Sequence, residues 1–197
     1  SVSLPANEEG VSVLADGDTL YASVKRPVNV PGDPRPYVRY AIMAIDYSNP
    51  AAPTVGPAIN VPGELLTISG DTIYTRDLVW GDKVAETAIA QLRLGDDRAY
   101  LQGHRRFIDR QVEDVAIDDR GLALVSHRPL WNYGWGYEDG DNLQTLTVLS
   151  PSSGGLTELP EVEVDSWATL RTVTAERALF QVPGGLLVLN LEDPAQP

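Results

Sequence analysis

A pattern that recurs about every 50 residues, four times in all, constrains the fold of this chain more than any other feature. The copies read VLADGDTLYASV, TISGDTIYTRDL, AIDDRGLALVSH and TVTAERALFQVP. Each copy joins a short apolar run to a polar turn and an alternating segment, which places Asp18, Asp71, Arg120 and Arg177 at equivalent positions. Alternation with a period of two predicts β-strands, and the periodicity of helical repeats is missing. The chain is therefore predicted to be all-β.

Repeats of this length, each with room for four short strands, are typical of a β-propeller. We expect one propeller domain, or part of one, over residues 1–197, built of about four four-stranded blades. The predicted blades are 11–63, 64–109, 110–165 and 166–197. The last repeat holds only three strands, so residues 1–5, with Val2–Leu4 as the strand, are a candidate closing outer strand. A small closed ring and part of a larger propeller both stay open.

Composition excludes several classes of function. Lys and Arg number 15 against 28 Asp and Glu, and the formal net charge of −13 opposes binding to nucleic acid and to anionic membrane surfaces. The longest apolar runs, such as Ala41–Ile45 and Leu186–Leu191, are far shorter than the roughly 20 residues of a membrane span, so no membrane insertion is expected. The chain has no cysteine, which excludes disulfides, thiol catalysis and zinc–thiolate sites.

Two segments end a strand with Asp or Asn and continue into paired prolines. They are IDYSNPAAPTVG at Ile45–Gly56 and LNLEDPAQP at Leu189–Pro197. Asp46 and Asn190 can each accept a backbone N–H bond in the turn, and the prolines then stop the strand. In these features the chain resembles bacterial secreted β-propeller-domain proteins with LVIVD-like repeats. The resemblance implies a secreted or periplasmic protein from a family whose members mostly lack a defined activity. The start at Ser1 rather than Met fits either removal of a signal or pro-segment or a fragment of a longer protein.

Long connections between the second and third strands of three repeats are the candidate binding surface. They are residues 25–37, 78–86 and 127–142, whereas the fourth repeat has only Pro183–Gly185 at this place. Equivalent loops of a propeller emerge on one face, so these three are predicted to form one continuous surface. We expect that face to bind a protein or an extracellular ligand. A protein partner, a second propeller half or a second copy of the chain are the partners considered.

The third of these connections carries two kinds of candidate site. Four aromatic residues spaced by two could form a platform for a sugar ring or a peptide: Trp131, Tyr133, Trp135 and Tyr137. Four oxygen-bearing residues follow them and could bind calcium: Glu138, Asp139, Asp141 and Asn142. In the alternative without a site, the aromatics pack over the blades and the acids form a solvated turn. No cofactor other than calcium is indicated.

Catalysis has weak support in this sequence. His127, at the root of the third connection, could act as a general base near Asp139 and Asp141. No Gly-x-Ser-x-Gly elbow, phosphate-binding loop, dinucleotide fingerprint or His-Glu-x-x-His pair occurs. The leading hypothesis is therefore a non-enzymatic interaction module. A propeller-type hydrolase with a site assembled across blades and a calcium-dependent structural or adhesive domain are the alternatives.

Overall fold

The fold consists of β-strands, as the sequence predicts. The computed structural model of the chain describes residues 7–80, 85–118, 120–129, 144–152, 155–159, 161–164 and 168–193. These residues contain sixteen strands, arranged in four antiparallel sheets, and no helix. Among the described residues, therefore, no helix is long and apolar enough to cross a lipid bilayer. The all-β prediction is confirmed.

The sheets follow one another along the chain. The first has the order β1-β2-β3-β4 and contains β1 (Glu9–Asp16), β2 (Thr19–Val30), β3 (Asp33–Asp46) and β4 (Thr54–Val61). The second has the order β5-β6-β7-β8, with β5 (Glu64–Ser69), β6 (Thr72–Trp80), β7 (Ala85–Leu94) and β8 (Ala99–Ile108). Each of these sheets is a meander in which consecutive strands are neighbours.

The third and fourth sheets vary this plan. The third contains β9 (Arg110–Ile117), β10 (Ala123–Pro129), β11 (Gln144–Ser152), β12 (Gly155–Glu158) and β13 (Val162–Val164). Its order is β12-β11-β10-β9, and β13 also pairs with β11. The fourth contains β14 (Thr169–Val173), β15 (Arg177–Val182) and β16 (Gly185–Asn190) in that order.

The chain divides into two compact units, each with its own apolar core. The first unit is Ser1–Asp77 with Ala90–Gln102, and the second is Leu78–Ile89 with Gly103–Pro197. The first core joins the first two sheets through Ile42, Val61, Leu65, Ile73, Ala90 and Leu92. The second core joins the third and fourth sheets and includes Leu124, Leu146, Val148, Leu170, Ala178 and Phe180. Burial of such side chains is the main force that holds neighbouring sheets together.

One backbone hydrogen bond repeats from sheet to sheet. In the first sheet Tyr47 donates its N–H to the carbonyl of Asp18 over 3.0 Å, and in the second Leu94 donates to Asp71 over 2.7 Å. Each bond ties the end of the third strand to the tight turn between the first two. In the fourth sheet Leu191 donates to Glu176 over 2.7 Å, so Glu176 holds the place that the sequence pattern assigns to Arg177. The cause is a turn closed between Thr174 and Arg177, one residue earlier than the alignment predicts.

The segment 25–37, predicted as a long loop, is instead a β-ribbon. β2 continues to Val30 and β3 starts at Asp33, with Gly32 at φ 83° in the turn between them. Pairing of β1 with β2 stops at Lys25, and pairing of β4 with β3 stops at Tyr40. The ribbon therefore extends beyond both neighbouring strands, where a proline removes no hydrogen bond from a sheet.

The other long connections are also shorter than predicted. β6 runs to Trp80 and β7 begins at Ala85, so most of 78–86 is strand. His127–Pro129 belong to β10, and residues 130–142 lie outside the described part of the chain. The outer strand predicted at Leu156–Val164 is split into β12 and β13, which both pair with β11. The candidate closing strand Val2–Leu4 lies outside the described residues as well.

The two predicted turns after Asp46 and Asn190 are present. Asp46 Oδ1 accepts the N–H of Ser48 over 2.9 Å, and Asn190 Oδ1 accepts the N–H of Glu192 over 3.0 Å. The hydrogen bond from Ser48 also holds the pKa of Asp46 below its ordinary value. In the first and fourth sheets the third strand therefore ends in the same type of turn, an Asx turn closed by a side-chain oxygen.

Candidate functional site

A shallow open groove lies along the β2–β3 ribbon in the first unit. Its volume is about 320 Å³. It is lined by Val28, Val30, Tyr37, Val38, Arg39, Tyr40, Val61, Pro62 and Asp77. Three of these residues belong to the predicted connection 25–37, and Asp77 directly precedes the predicted connection 78–86. The groove thus includes part of the first predicted binding segment, and Asp77 adjoins the second in sequence.

Two tyrosines give the groove its aromatic surface. Tyr37 donates its hydroxyl to Asp33 Oδ2 over 2.7 Å, which fixes the ring beside the ribbon turn. Tyr40 is half-buried, and burial raises the pKa of its hydroxyl above the ordinary value, helped by the negative charges of Asp77 and Glu64. A phenol with a raised pKa stays protonated at neutral pH and can donate a hydrogen bond.

The charges around the groove are held in place by neighbouring strands. Arg76 on β6 forms an ion pair with Glu64 on β5 over 3.1 Å, and the two residues face each other across the strand pair. Val30 and Val38, which both line the groove, expose apolar side chains to solvent. The groove therefore combines apolar contact area, aromatic faces and carboxylates, a set that suits an extended peptide with both apolar and basic side chains.

His127, the predicted general base, lies inside the second unit rather than at the root of a loop. It is on β10, fully buried, with its ring centroid 4.8 Å from that of Phe107. Arg110 Nη1 lies 3.4 Å from Nδ1 and can only donate, so Nδ1 is the acceptor. Nε2 then carries the proton and donates to Thr147 Oγ1 over 2.7 Å. Thr147 in turn donates to Glu161 Oε1 over 3.4 Å.

Burial and the positive charge of Arg110 lower the pKa of His127 to about 4. The imidazole is therefore neutral at pH 7, with both nitrogens engaged by protein groups. Such a histidine fixes three neighbouring strands to one another through a chain of hydrogen bonds. Nothing in this local geometry leaves a ring nitrogen free to meet a substrate.

The remaining predicted site residues lie outside the described part of the chain. These are the aromatic residues Trp131, Tyr133, Trp135 and Tyr137, and the oxygen-bearing residues Glu138, Asp139, Asp141 and Asn142. In the described residues, no three His, Cys, Asp or Glu side chains are grouped to hold a metal ion.

The sequence reading missed the residues that complete the groove. These residues are Tyr40, Val61, Pro62 and Asp77. A signal existed in the alternation of Val28, Val38 and Tyr40 with polar residues on both sides of the ribbon turn, which is the mark of a hairpin. The four prolines of 27–36 masked that signal.

Models of known protein families, curated proteins and solved structures were compared with the chain, and none matches it.

Proposed function

We propose that the chain is a β-propeller-type interaction module that binds an extended segment of a partner protein in the groove of the β2–β3 ribbon. The observation that carries the proposal is the groove itself, with exposed Val30 and Val38 beside Tyr37 and Tyr40. Four consecutive antiparallel sheets support the propeller reading, with one apolar core between the first two sheets and another between the last two. The carboxylates near Tyr40 favour a partner segment that carries a basic side chain.

The recognition would use two kinds of contact. The valines and the tyrosine rings give apolar area, and a Lys or Arg of the partner lies over a tyrosine face near Asp77. Arg39, which also lines the groove, can donate to backbone carbonyl groups of the bound segment. The net charge of −13 favours approach of a basic partner from solution.

A random peptide library displayed on phage tests the proposal. Peptides are selected on the immobilised wild-type chain, and their affinities are then measured by titration calorimetry against three proteins. These are the wild type, Val38→Asp in the groove, and Tyr100→Ala, an exposed tyrosine outside the groove lining. We expect selected peptides with basic and apolar residues that bind Val38→Asp at least roughly tenfold more weakly than the wild type.

The control variant Tyr100→Ala shows whether weaker peptide binding is specific to the groove. Tyr100→Ala should bind the selected peptides as the wild type does, because Tyr100 is absent from the lining of the groove. Failure to select any peptide, or equal affinity for Val38→Asp and the wild type, would contradict the proposal. Far-UV circular dichroism of each variant confirms that the sheets are intact.

A further inference from the structure

The four sheets share a common register, which allows single positions to be compared. The turn between the first two strands is closed by Asp16 and Thr19 in the first sheet, and by Ser69 and Thr72 in the second. Asp118 pairs with Leu122 in the third, and Thr174 with Arg177 in the fourth. Counting from these closing pairs gives each residue of one sheet an equivalent in the others.

One position on the third strands faces the next sheet. It is opposite the fifth residue of the second strand: Ile42 opposite Ser23, Leu146 opposite Ser126 and Leu186 opposite Gln181. In the second sheet the equivalent residue is Ile89. It lies five residues before Leu94, which donates the repeated backbone hydrogen bond, just as Ile42 lies five residues before Tyr47 in the first sheet. The first three sheets bury this residue completely, whereas Leu186 is 65% exposed. Ile42 packs with Leu65 and Ile73 of the second sheet, and Leu146 with Leu170 and Phe180 of the fourth.

A second position, on the first strands, faces the preceding sheet. It is opposite the fourth residue of the second strand and is held by Val13, Leu65, Val115 and Leu170. Leu65, Val115 and Leu170 are buried, whereas Val13 is 62% exposed. Two residues of the fold are thus exposed at places where every equivalent residue is buried. Val13 lies on what we call the front face of the first sheet, and Leu186 on the back face of the fourth.

From this complementarity we infer that two copies of the chain associate head to tail, with the back face of each fourth sheet against the front face of the other copy's first sheet. The contact between the third and fourth sheets of one chain is the template for this contact between copies. There Leu170 and Phe180 share an apolar core with Leu146, the equivalent of Leu186. Val188 at 53% and Val55 at 46% exposure extend the two faces with further apolar area. Each chain carries one face of each kind, so a pair of copies can cover both kinds of face with two such contacts.

This inference concerns surfaces other than the groove and does not depend on the proposed function. Sedimentation velocity over about a hundredfold range of concentration tests it. The wild type should approach twice the 21.4 kDa mass of one chain as the concentration rises. Leu186→Lys and Val13→Glu alone should each weaken association by roughly tenfold or more, because each puts an unpaired charge against an apolar surface.

Mixing the two variants gives the sharpest outcome. A Leu186→Lys chain and a Val13→Glu chain together form one contact with a Lys–Glu pair and one wild-type contact, so the mixture should recover the dimer that neither forms alone. Leu101→Lys, at a residue 59% exposed on β8, is the matched control and should associate as the wild type does. Each variant is first shown to unfold cooperatively in urea.

Three results would overturn the inference. The wild type could stay monomeric at every concentration, which is the outcome if a strand of the same chain or another polypeptide covers Leu186. The two charged variants could associate as strongly as the wild type. The mixture could stay monomeric although each variant is folded.

Discussion

Leu146 in the third sheet and Leu186 in the fourth hold the same place in the repeat, yet Leu146 is fully buried and Leu186 is 65% exposed. The third sheet is packed on both faces: Leu146 lies in the core shared with the fourth sheet, and His127 packs on Phe107 of β8. The fourth sheet buries one face only, through Leu170, Ala178 and Phe180. The difference teaches that burial of a repeat position depends on the presence of the next sheet and not on the residue type.

The largest effect is expected at the buried member of the pair. Leu146→Ala should lower the free energy of unfolding by about 2–5 kcal/mol, because it removes side-chain contacts and leaves a cavity between two sheets. Urea denaturation followed by circular dichroism measures the change. A loss below about 0.5 kcal/mol, the value expected for a surface residue, would mean that the third and fourth sheets do not share this core.

A dependence of stability on pH is expected from the other face of the third sheet. Because the pKa of His127 is lowered to about 4 in the folded chain and is about 6.5 when unfolded, the unfolded state binds the proton more tightly. The contribution of neutral His127 to the free energy of unfolding is therefore complete above about pH 6.5. About 3 kcal/mol of it is lost as the pH falls from there through 4. Urea denaturation from pH 7 to 4 measures this loss in the wild type and in His127→Gln.

The Gln variant separates the histidine from the many carboxylates of this acidic chain. Gln can still donate to Thr147 but takes up no proton, so His127→Gln should lack this part of the pH dependence. Parallel pH profiles for the two proteins would show that His127 is not held neutral in the folded chain.

A third effect is expected at the turn that joins β9 to β10. Asp118 is buried and accepts the backbone N–H groups of Arg120 and Leu122 over 2.8 and 2.9 Å, as well as the Arg120 guanidinium. Arg120 also donates to the carbonyl of Leu191, which links the turn to the end of the fourth sheet. Asp118→Ala should cost about 1–3 kcal/mol, because buried donors lose their acceptor.

Arg120→Ala provides the comparison for that turn in the same urea assay. It keeps the two backbone bonds to Asp118 but removes the link to Leu191. We expect a smaller loss than for Asp118→Ala. A larger loss for Arg120→Ala would place the main role of the turn in connecting the sheets rather than in closing the hairpin.

The smallest effect is expected at Leu186 itself. At low protein concentration Leu186→Ala should change the free energy of unfolding by less than about 0.5 kcal/mol, since the side chain is mostly in water already. The same urea assay as for Leu146→Ala applies. A loss comparable with that of Leu146→Ala would show that the fourth sheet is covered even in the monomer.

Much of the fold could be predicted from the sequence because local signals and tertiary structure agree. The tight turns at Gly17, Gly70 and Gly184 carry positive φ values of the kind that favours glycine, and the flanking residues alternate as strands do. The Asx turns at Asp46 and Asn190 were predicted for the same reason. These features depend on residues adjacent in sequence.

The predictions were wrong where residues far apart in sequence determine the local structure or the burial of a side chain. Residues 25–37 were predicted as a loop, although they form a ribbon that extends beyond its neighbouring strands and needs no outward hydrogen bonds. His127 was expected at the root of the third connection, whereas Arg110 and Thr147 from two other strands engage both of its ring nitrogens inside the sheet. The groove joins Tyr40 to Asp77, and no local pattern brings these residues together.

The absence of cysteine from the chain allows the most direct test of the comparison between Leu146 and Leu186. Single variants Leu146→Cys and Leu186→Cys are labelled with a thiol reagent under native conditions, at low concentration so that copies stay apart. We expect Leu186→Cys to react at nearly the rate of the unfolded chain and Leu146→Cys to react at least about a hundredfold more slowly. Equal rates in two cooperatively folded variants would contradict the common register of the sheets and the exposed back face that follows from it.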